Sequence, residues 1–217
     1  MNYSKKLAIY LITPFVCGLS SPAISQTLKD VFSNSNSQLI YLGIDFTKSK
    51  LLDKGNVVDI RDHLYGNINQ LIVNEPKKYD LKGAFLKSNI DYDFGPVSKS
   101  NAQIDLNDIL SNNSMDFNRL KESDIIGVVN NLEISEKTGV GLLFVMEALR
   151  KNGNKGDAAI WVTLIDLKNK NVLMTERMIG NGSGGIGFRN FWASTIKHLL
   201  DEIEHKKYKE WKTKYAR

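Results

Sequence analysis

The amino-acid sequence predicts an α+β fold, a mixed sheet with a C-terminal antiparallel β-meander covered by amphipathic helices. Three features predict it. Ala159, Trp161, Thr163, Ile165 and Leu167 alternate with Ile160, Val162, Leu164 and Asp166, so both faces of one strand are apolar until its polar end, as in a central strand covered on both sides. Residues 141–149 before it and 172–178 after it read as its neighbours, joined through the turn sequences KNGNKG and KNKN, the first marked as a hairpin by its Asn-Gly pair. From Phe188 a helix carries Phe191, Trp192, Thr195, Ile196, Leu199, Leu200 and Ile203, a stripe wide enough to cover the meander.

The first 26 residues stand apart from this fold. Lys5 and Lys6 precede an apolar run from Leu7 to Val16, and Ala23-Ile24-Ser25 has the small-x-small form of a cleavage site. This pattern is that of a secretory signal peptide over residues 1–25, cleaved before Gln26. About ten apolar residues are too few to cross a bilayer, which takes about twenty. Cys17 is the single cysteine and falls inside the signal. Phe15 and Val16 precede it where a bacterial lipobox places a small residue, so lipoprotein anchoring at Cys17 is not expected. The predicted location is periplasmic or secreted, and residues 26–217 are expected to form a single α+β domain with a basic C-terminal tail, held by its core without disulfides. Cleavage removes two lysines and no acidic residue, taking the net charge from +5 to +3. That is too little for a nucleic-acid partner.

Along the chain, residues 26–37 are rich in Ser and Asn beyond a short apolar patch and read as a mobile leading segment. Residues 39–46 form a buried strand, with Ile40, Leu42, Ile44 and Phe46 on one face and Leu39, Tyr41 and Gly43 on the other. Residues 48–55 read as a charged loop. Val57, Ile60, Leu64, Ile68, Leu71 and Ile72 recur at helical spacing and predict a helix over 57–73, capped by Asn56 or Asp59 and stopped near Pro76. Residues 81–86 read as a short helical segment. Ile90, Tyr92 and Phe94 alternate with Asp91 and Asp93 as a strand with one wet face, which Pro96 confines to an edge. Residues 98–118 read as loop with one helical turn at 106–110. Ser123 opens a helix carrying Ile125, Ile126, Val129 and Leu132, with a strand through 125–129 as the alternative.

Two stretches attract a functional reading. Five glycines fall within 180–187 and contain a GxGxxG string between a strand and a helix. A dinucleotide site fails on context: no second parallel strand follows, and Asp201 and Glu202 lie within the helix. What remains is an anion-binding nest at Gly182, Gly184 and Gly185, with Arg189 adding charge just inside the helix, or a flexible crossing from sheet to helix. The second stretch is the tail, where six cations crowd the end while Tyr208, Trp211 and Tyr215 recur at helical spacing beside Lys212. Basic residues interleaved with an aromatic stripe suit an anionic membrane surface or a partner's groove, unless the aromatics fold back onto the domain. His63, His198 and His205 lack a nucleophile or an HExxH string, and Asp91, Asp93 and Gly95 place glycine wrongly for a calcium loop. No catalytic residue, metal or cofactor is assigned.

The strand ending in Asp45-Phe46, the helix after it, the hairpin from Trp161 through Asp166 to Leu173 and the last helix together resemble bacterial envelope proteins of the curli-secretion and penicillin-binding-protein-activator type. That resemblance implies an anticodon-binding-domain-like α+β fold, in which a strand ending in Asp-Phe opens the domain. Asn169 and Asn171 stand where the hairpin turn of such proteins often has Thr and Gly. The expectation is an exported, non-enzymatic envelope protein that binds a protein partner. The alternative is a binder of a small anionic ligand at the glycine-rich loop 180–187. A third reading, a hydrolase using Asp91 and Asp93, lacks an environment that would raise the pKa of a general acid.

Overall fold

Six strands form one mixed sheet in the computed structural model, which describes residues 27–134 and 137–216. The expected signal peptide, its cleavage site and Cys17 lie outside the described residues. β1 (Leu39–Asp45) runs parallel to β3 (Asp91–Tyr92) on one side and to β4 (Val140–Asn152) on the other. β2 (Lys50–Leu52) continues along the same edge of β4 after a turn in which the Ser49 amide donates to the Phe46 carbonyl at 2.8 Å. β5 (Lys155–Asp166) and β6 (Asn171–Ser183) then complete the antiparallel meander in the order β3-β1-β4-β5-β6. Parallel neighbours need crossovers and antiparallel ones only hairpins, which is why the helical connections fall between β2 and β4.

Helices cover both faces. On one side α2 (Val57–Asp59) and α3 (Tyr65–Asn74), joined by a π-helical turn at Ile60–Leu64, pack with α7 (Gly187–Glu202) and α8 (Tyr208–Tyr215), themselves joined by a second π turn at Ile203–Lys207. On the other side Val97 of α5 (Gly95–Asn101) and Ile125, Val128 and Val129 of α6 (Glu122–Asn131) pack onto Leu143, Val145, Trp161 and Ile165. α4 (Leu81–Ala84) is the short segment predicted for that region. Each π turn has a mechanical purpose. One extra residue per turn advances the helical phase, so the apolar stripe can step five residues, from Ile60 to Tyr65 and from Ile203 to Tyr208, and stay on the core side.

Several expectations are corrected. The leading segment is ordered as α1 (Leu28–Ser33), closed by a capping box in which Thr27 and Asp30 satisfy each other's amides, with Val31 and Phe32 buried. Lys50–Leu52 is a strand, not loop. Phe94 and Pro96 belong to the start of α5, not to a strand, so β3 is only two residues long. Residues 98–118 carry the end of α5 and 3₁₀ turns at Leu106–Asp108 and Ser114–Asn118. The 125–129 stretch is helical as expected, but its helix starts one residue before Ser123, with the Lys121 amide donating to Asp124 at 2.8 Å. In β1 the predicted faces swap partway. A bulge between Tyr41 and Gly43 puts Leu39 and Tyr41 with Ile44 and Phe46, and leaves Ile40 and Leu42 on the other side. One inserted residue inverts every later side chain. Gly43 permits it at φ +100°, where a Cβ would also meet Phe94 at 2.9 Å.

Candidate functional site

Two buried amides finish the edge of β1 that β3 leaves uncovered. β3 reaches only Ile40 and Tyr41. Past the bulge, Asn69 of α3 accepts from the Ile44 amide at 2.8 Å and donates to the Ile44 carbonyl at 3.2 Å. Asn101 of α5 donates to the same carbonyl at 3.0 Å and accepts from the Phe46 amide at 2.8 Å. Side chains thus supply what a neighbouring strand would otherwise supply, and Asp45 is held between two anchored residues.

Asp45 is fully buried and forms part of the wall of a cleft of about 630 Å³ between the ends of α5 and α6, with Thr47, Lys48, Ser100, Gln103 and Asn131. Its Oδ1 accepts from the Thr47 amide at 2.8 Å and from the Thr47 hydroxyl, whereas Oδ2 has no partner among the described residues. Burial pushes this carboxyl above the ordinary range, against the pull of the Thr47 bonds and of Lys48. Asp45 is the residue that pattern reading passed over as a site. Its signal was present as a carboxylate closing a wholly apolar strand.

The glycine string divides into two parts. Gly180 and Gly182 lie within β6, opposite Ala158 and Gly156, and not in a loop. A Cβ on Gly180 would sit 2.2 Å from the Thr195 carbonyl oxygen, and one on Gly182 would sit 2.3 Å from Ser194 Oγ. These two glycines let α7 lie close against the sheet, so Gly182 is removed from the proposed nest. Gly184 (φ +74°) and Gly185 (φ +87°) form the actual crossing. Arg189 is exposed, bonds among the described residues only to the neighbouring Asn190 at 3.2 Å, and does not line the adjacent cleft. That cleft, about 260 Å³, takes Gly185, Gly187, Phe188 and two lysines the sequence did not point to, Lys54 and Lys151.

The tail is helical and its aromatics are turned inward. Tyr208 and Trp211 are buried, with the Tyr208 hydroxyl donating to the Phe32 carbonyl at 3.3 Å and Trp211 Nε1 donating to Glu176 at 2.5 Å. Tyr215 stacks on Phe32 with ring centres 5.9 Å apart. Tyr208 and Trp211 are therefore core residues, and of the tail candidates Lys212 alone stands exposed. The aspartates of the hydrolase reading are each engaged. Asp93 pairs with Lys137 at 2.5 Å, and Asp91 accepts from Gln38 and from Asn89, both at 3.1 Å.

The two sheet edges differ. β3 is short and carries charge, which protects an edge from further pairing. β6 runs for 13 residues with no Lys or Pro, and no strand pairs with its outer side among the described residues. Its two charged side chains turn to the faces, Glu176 to Trp211 and Lys207, and Arg177 to Glu147.

No family model matches the chain, and no curated protein matches it either. Among solved structures it is similar to the hypothetical protein CT253 from Chlamydia trachomatis, at 8% identity and a TM-score of 0.37, over 82% of this chain and 99% of that one. It is also similar to the LpoB C-terminal domain from Salmonella enterica, at 10% identity and a TM-score of 0.29, over 70% of this chain and 94% of that one. Likenesses this loose support no inference about function.

Proposed function

We propose that the chain is an exported, non-enzymatic envelope protein that captures another protein, with the outer edge of β6 as the place of capture. The observation that carries this reading is the length and openness of that edge. A row of unpaired amides and carbonyls is complemented by the backbone of an extended segment, and β6 lacks the lysine or proline that commonly guards such an edge. The envelope location rests on the predicted signal peptide and on the likeness of the Asp45-Phe46 strand and the 161–173 hairpin to envelope proteins.

The test is in-cell photo-crosslinking from Thr175 or Ile179 on β6, with Asn89 beside β3 as control. One dominant envelope protein captured from β6 and absent from the control is the expected result. Equal capture from both edges, or none from β6, removes the proposal.

A second reading is kept for the cleft at the start of α7. The N-cap residue, Ile186, makes no side-chain cap bond, leaving first-turn amides available beside Lys54 and Lys151, a combination that favours an anion in competition with Asp53, which lines the same cleft 3.9 Å from Lys151. Titration with inorganic phosphate decides it: a saturable response lost in Lys54→Ala/Lys151→Ala supports the reading, and an unresponsive protein ends it.

A further inference from the structure

We propose that the cleft at the end of β1 binds a small molecule carrying a primary ammonium group, with Asp45 as its counter-carboxylate. The site is independent of the β6 edge and of the cleft at the start of α7.

Three observations converge. Asp45 is the one buried carboxylate lining the cleft among the described residues, and its Oδ2 meets no hydrogen-bond donor among them. Two of the donors around it are turned elsewhere: the Ser100 hydroxyl goes to the Pro96 carbonyl at 3.2 Å and the Lys99 ammonium to Glu133 at 3.0 Å. Second, the last turns of α5 and α6 both meet the cleft, through Lys99 and Ser100 and through Val128 and Asn131. Helix C-termini carry partial negative charge, here with the Ser98, Ser100, Asn101 and Val129 carbonyls accepting the amides that follow them. Third, Asn69 and Asn101 clamp the backbone on either side of Asp45, so the carboxylate is carried on a rigid element, as a recognition group requires.

The chemistry selects the ligand. A buried carboxylate without a donor is costly, and a cation that donates hydrogen bonds removes the cost. A divalent metal fits poorly, because Ca2+ and Mg2+ take six or more oxygen ligands, Zn2+ takes three or four from His, Cys or carboxylates, and no group of three His, Cys, Asp or Glu gathers among the described residues. An ammonium needs only three acceptors, and the cleft wall carries the side-chain oxygens of Thr47, Ser100, Gln103 and Asn131 besides the carboxylate. Lys48 lies on the same wall yet makes no bond to Oδ2, so its charge is placed to meet an acid group on the same ligand. The class therefore includes simple amines and amino acids. Oδ2 lies behind the surface of the wall, so the ligand draws the Asp45 side chain a short way out and disturbs the turn it makes with Thr47.

The experiment is NMR titration of the protein with ethylammonium chloride and with glycine, following the Thr47 amide and the Asp45 side-chain carboxyl, with tetramethylammonium chloride as a cation that has no N–H. The expected result is a saturable shift of both signals with either amine, none with the control, and ionisation of Asp45 as the site fills. Asp45→Asn should lose the response. Gln103→Trp, which narrows the cleft without touching Asp45, should lose it too and keeps the test decisive if the asparagine variant does not fold. Absence of saturation with both amines, or an equal response to tetramethylammonium, overturns the proposal. So does an Asp45 carboxyl that titrates within the ordinary range in the free protein and rises in Lys48→Ala, since Lys48 would then already fill the site.

Discussion

Arg177 Nε donates to Glu147 Oε2 at 2.7 Å, and this pair holds β4 to β6 across the intervening β5. Glu147 is fully buried, is the extra residue of the bulge between Met146 and Ala148, and also accepts from the Arg119 amide, the Leu120 amide at 2.8 Å and Trp161 Nε1 at 3.1 Å. A buried carboxylate surrounded by donors organises its neighbours more than it stabilises them, whereas removing one partner leaves charge uncompensated. Arg177→Met should cost on the order of 3 kcal/mol by urea unfolding. The double variant Glu147→Leu/Arg177→Met should recover part of that loss. A double variant that is additive with its singles would show that the pair is not coupled.

The glycines separate into those that need to be glycine and those that do not. Gly180→Ala and Gly182→Ala force a Cβ into Thr195 or Ser194 and should each cost about 1–3 kcal/mol, as overpacking does. Gly184→Ala has space but keeps φ +74° and should cost about 1 kcal/mol. Gly66→Ala and Gly127→Ala meet nothing within 4 Å inside helices and should stabilise by up to about 1 kcal/mol. Thermal midpoints of the five variants check the order.

Lys87 makes stability depend on alkaline pH. Its ammonium is nearly buried and donates to the Val31 carbonyl, to the Asn34 carbonyl at 2.8 Å and to Ser37 Oγ at 2.6 Å, tying α1 to the segment after α4. Burial lowers its pKa from 10.5 to about 8. Between those values the unfolded chain binds the proton more tightly than the folded one, so this group's contribution rises with pH across the window and its penalty is complete below it. Urea midpoints taken from pH 7 to pH 10 should show that rise in the native protein and lose it in Lys87→Met. An identical profile in the two proteins would refute the assignment.

The C-terminal helix is a stability element. Trp211 is 1% exposed and packs between Phe32 and Phe85, at ring distances of 6.2 and 6.3 Å. Trp211→Ala should cost about 3–5 kcal/mol, while Lys212→Glu on the exposed side should stay within about 0.5 kcal/mol. Comparable losses in both variants would mean that the helix docks by charge and not by packing.

Pattern alone determined the meander, the helix that covers it, the 57–73 helix and the α+β class, because each rests on a local periodicity that burial then satisfies. The apolar runs of β4 and β5 needed no partner to be read. Tertiary structure decided the rest. The five-residue steps at Ile60–Tyr65 and Ile203–Tyr208 break the ordinary helical period, and only a π turn shows that Tyr208 and Trp211 continue the buried stripe. The swap of faces in β1 depends on a bulge that β1 makes only in pairing with β4, which the strand's own pattern does not encode. Gly180 and Gly182 look like part of a dinucleotide-type glycine string until α7 is laid on β6, and Asp45 looks like the polar end of a strand until α5 and α6 converge around it. In each case the decisive contact joins residues far apart in the chain, and spacing along a sequence carries no distance between elements that meet only when the core closes.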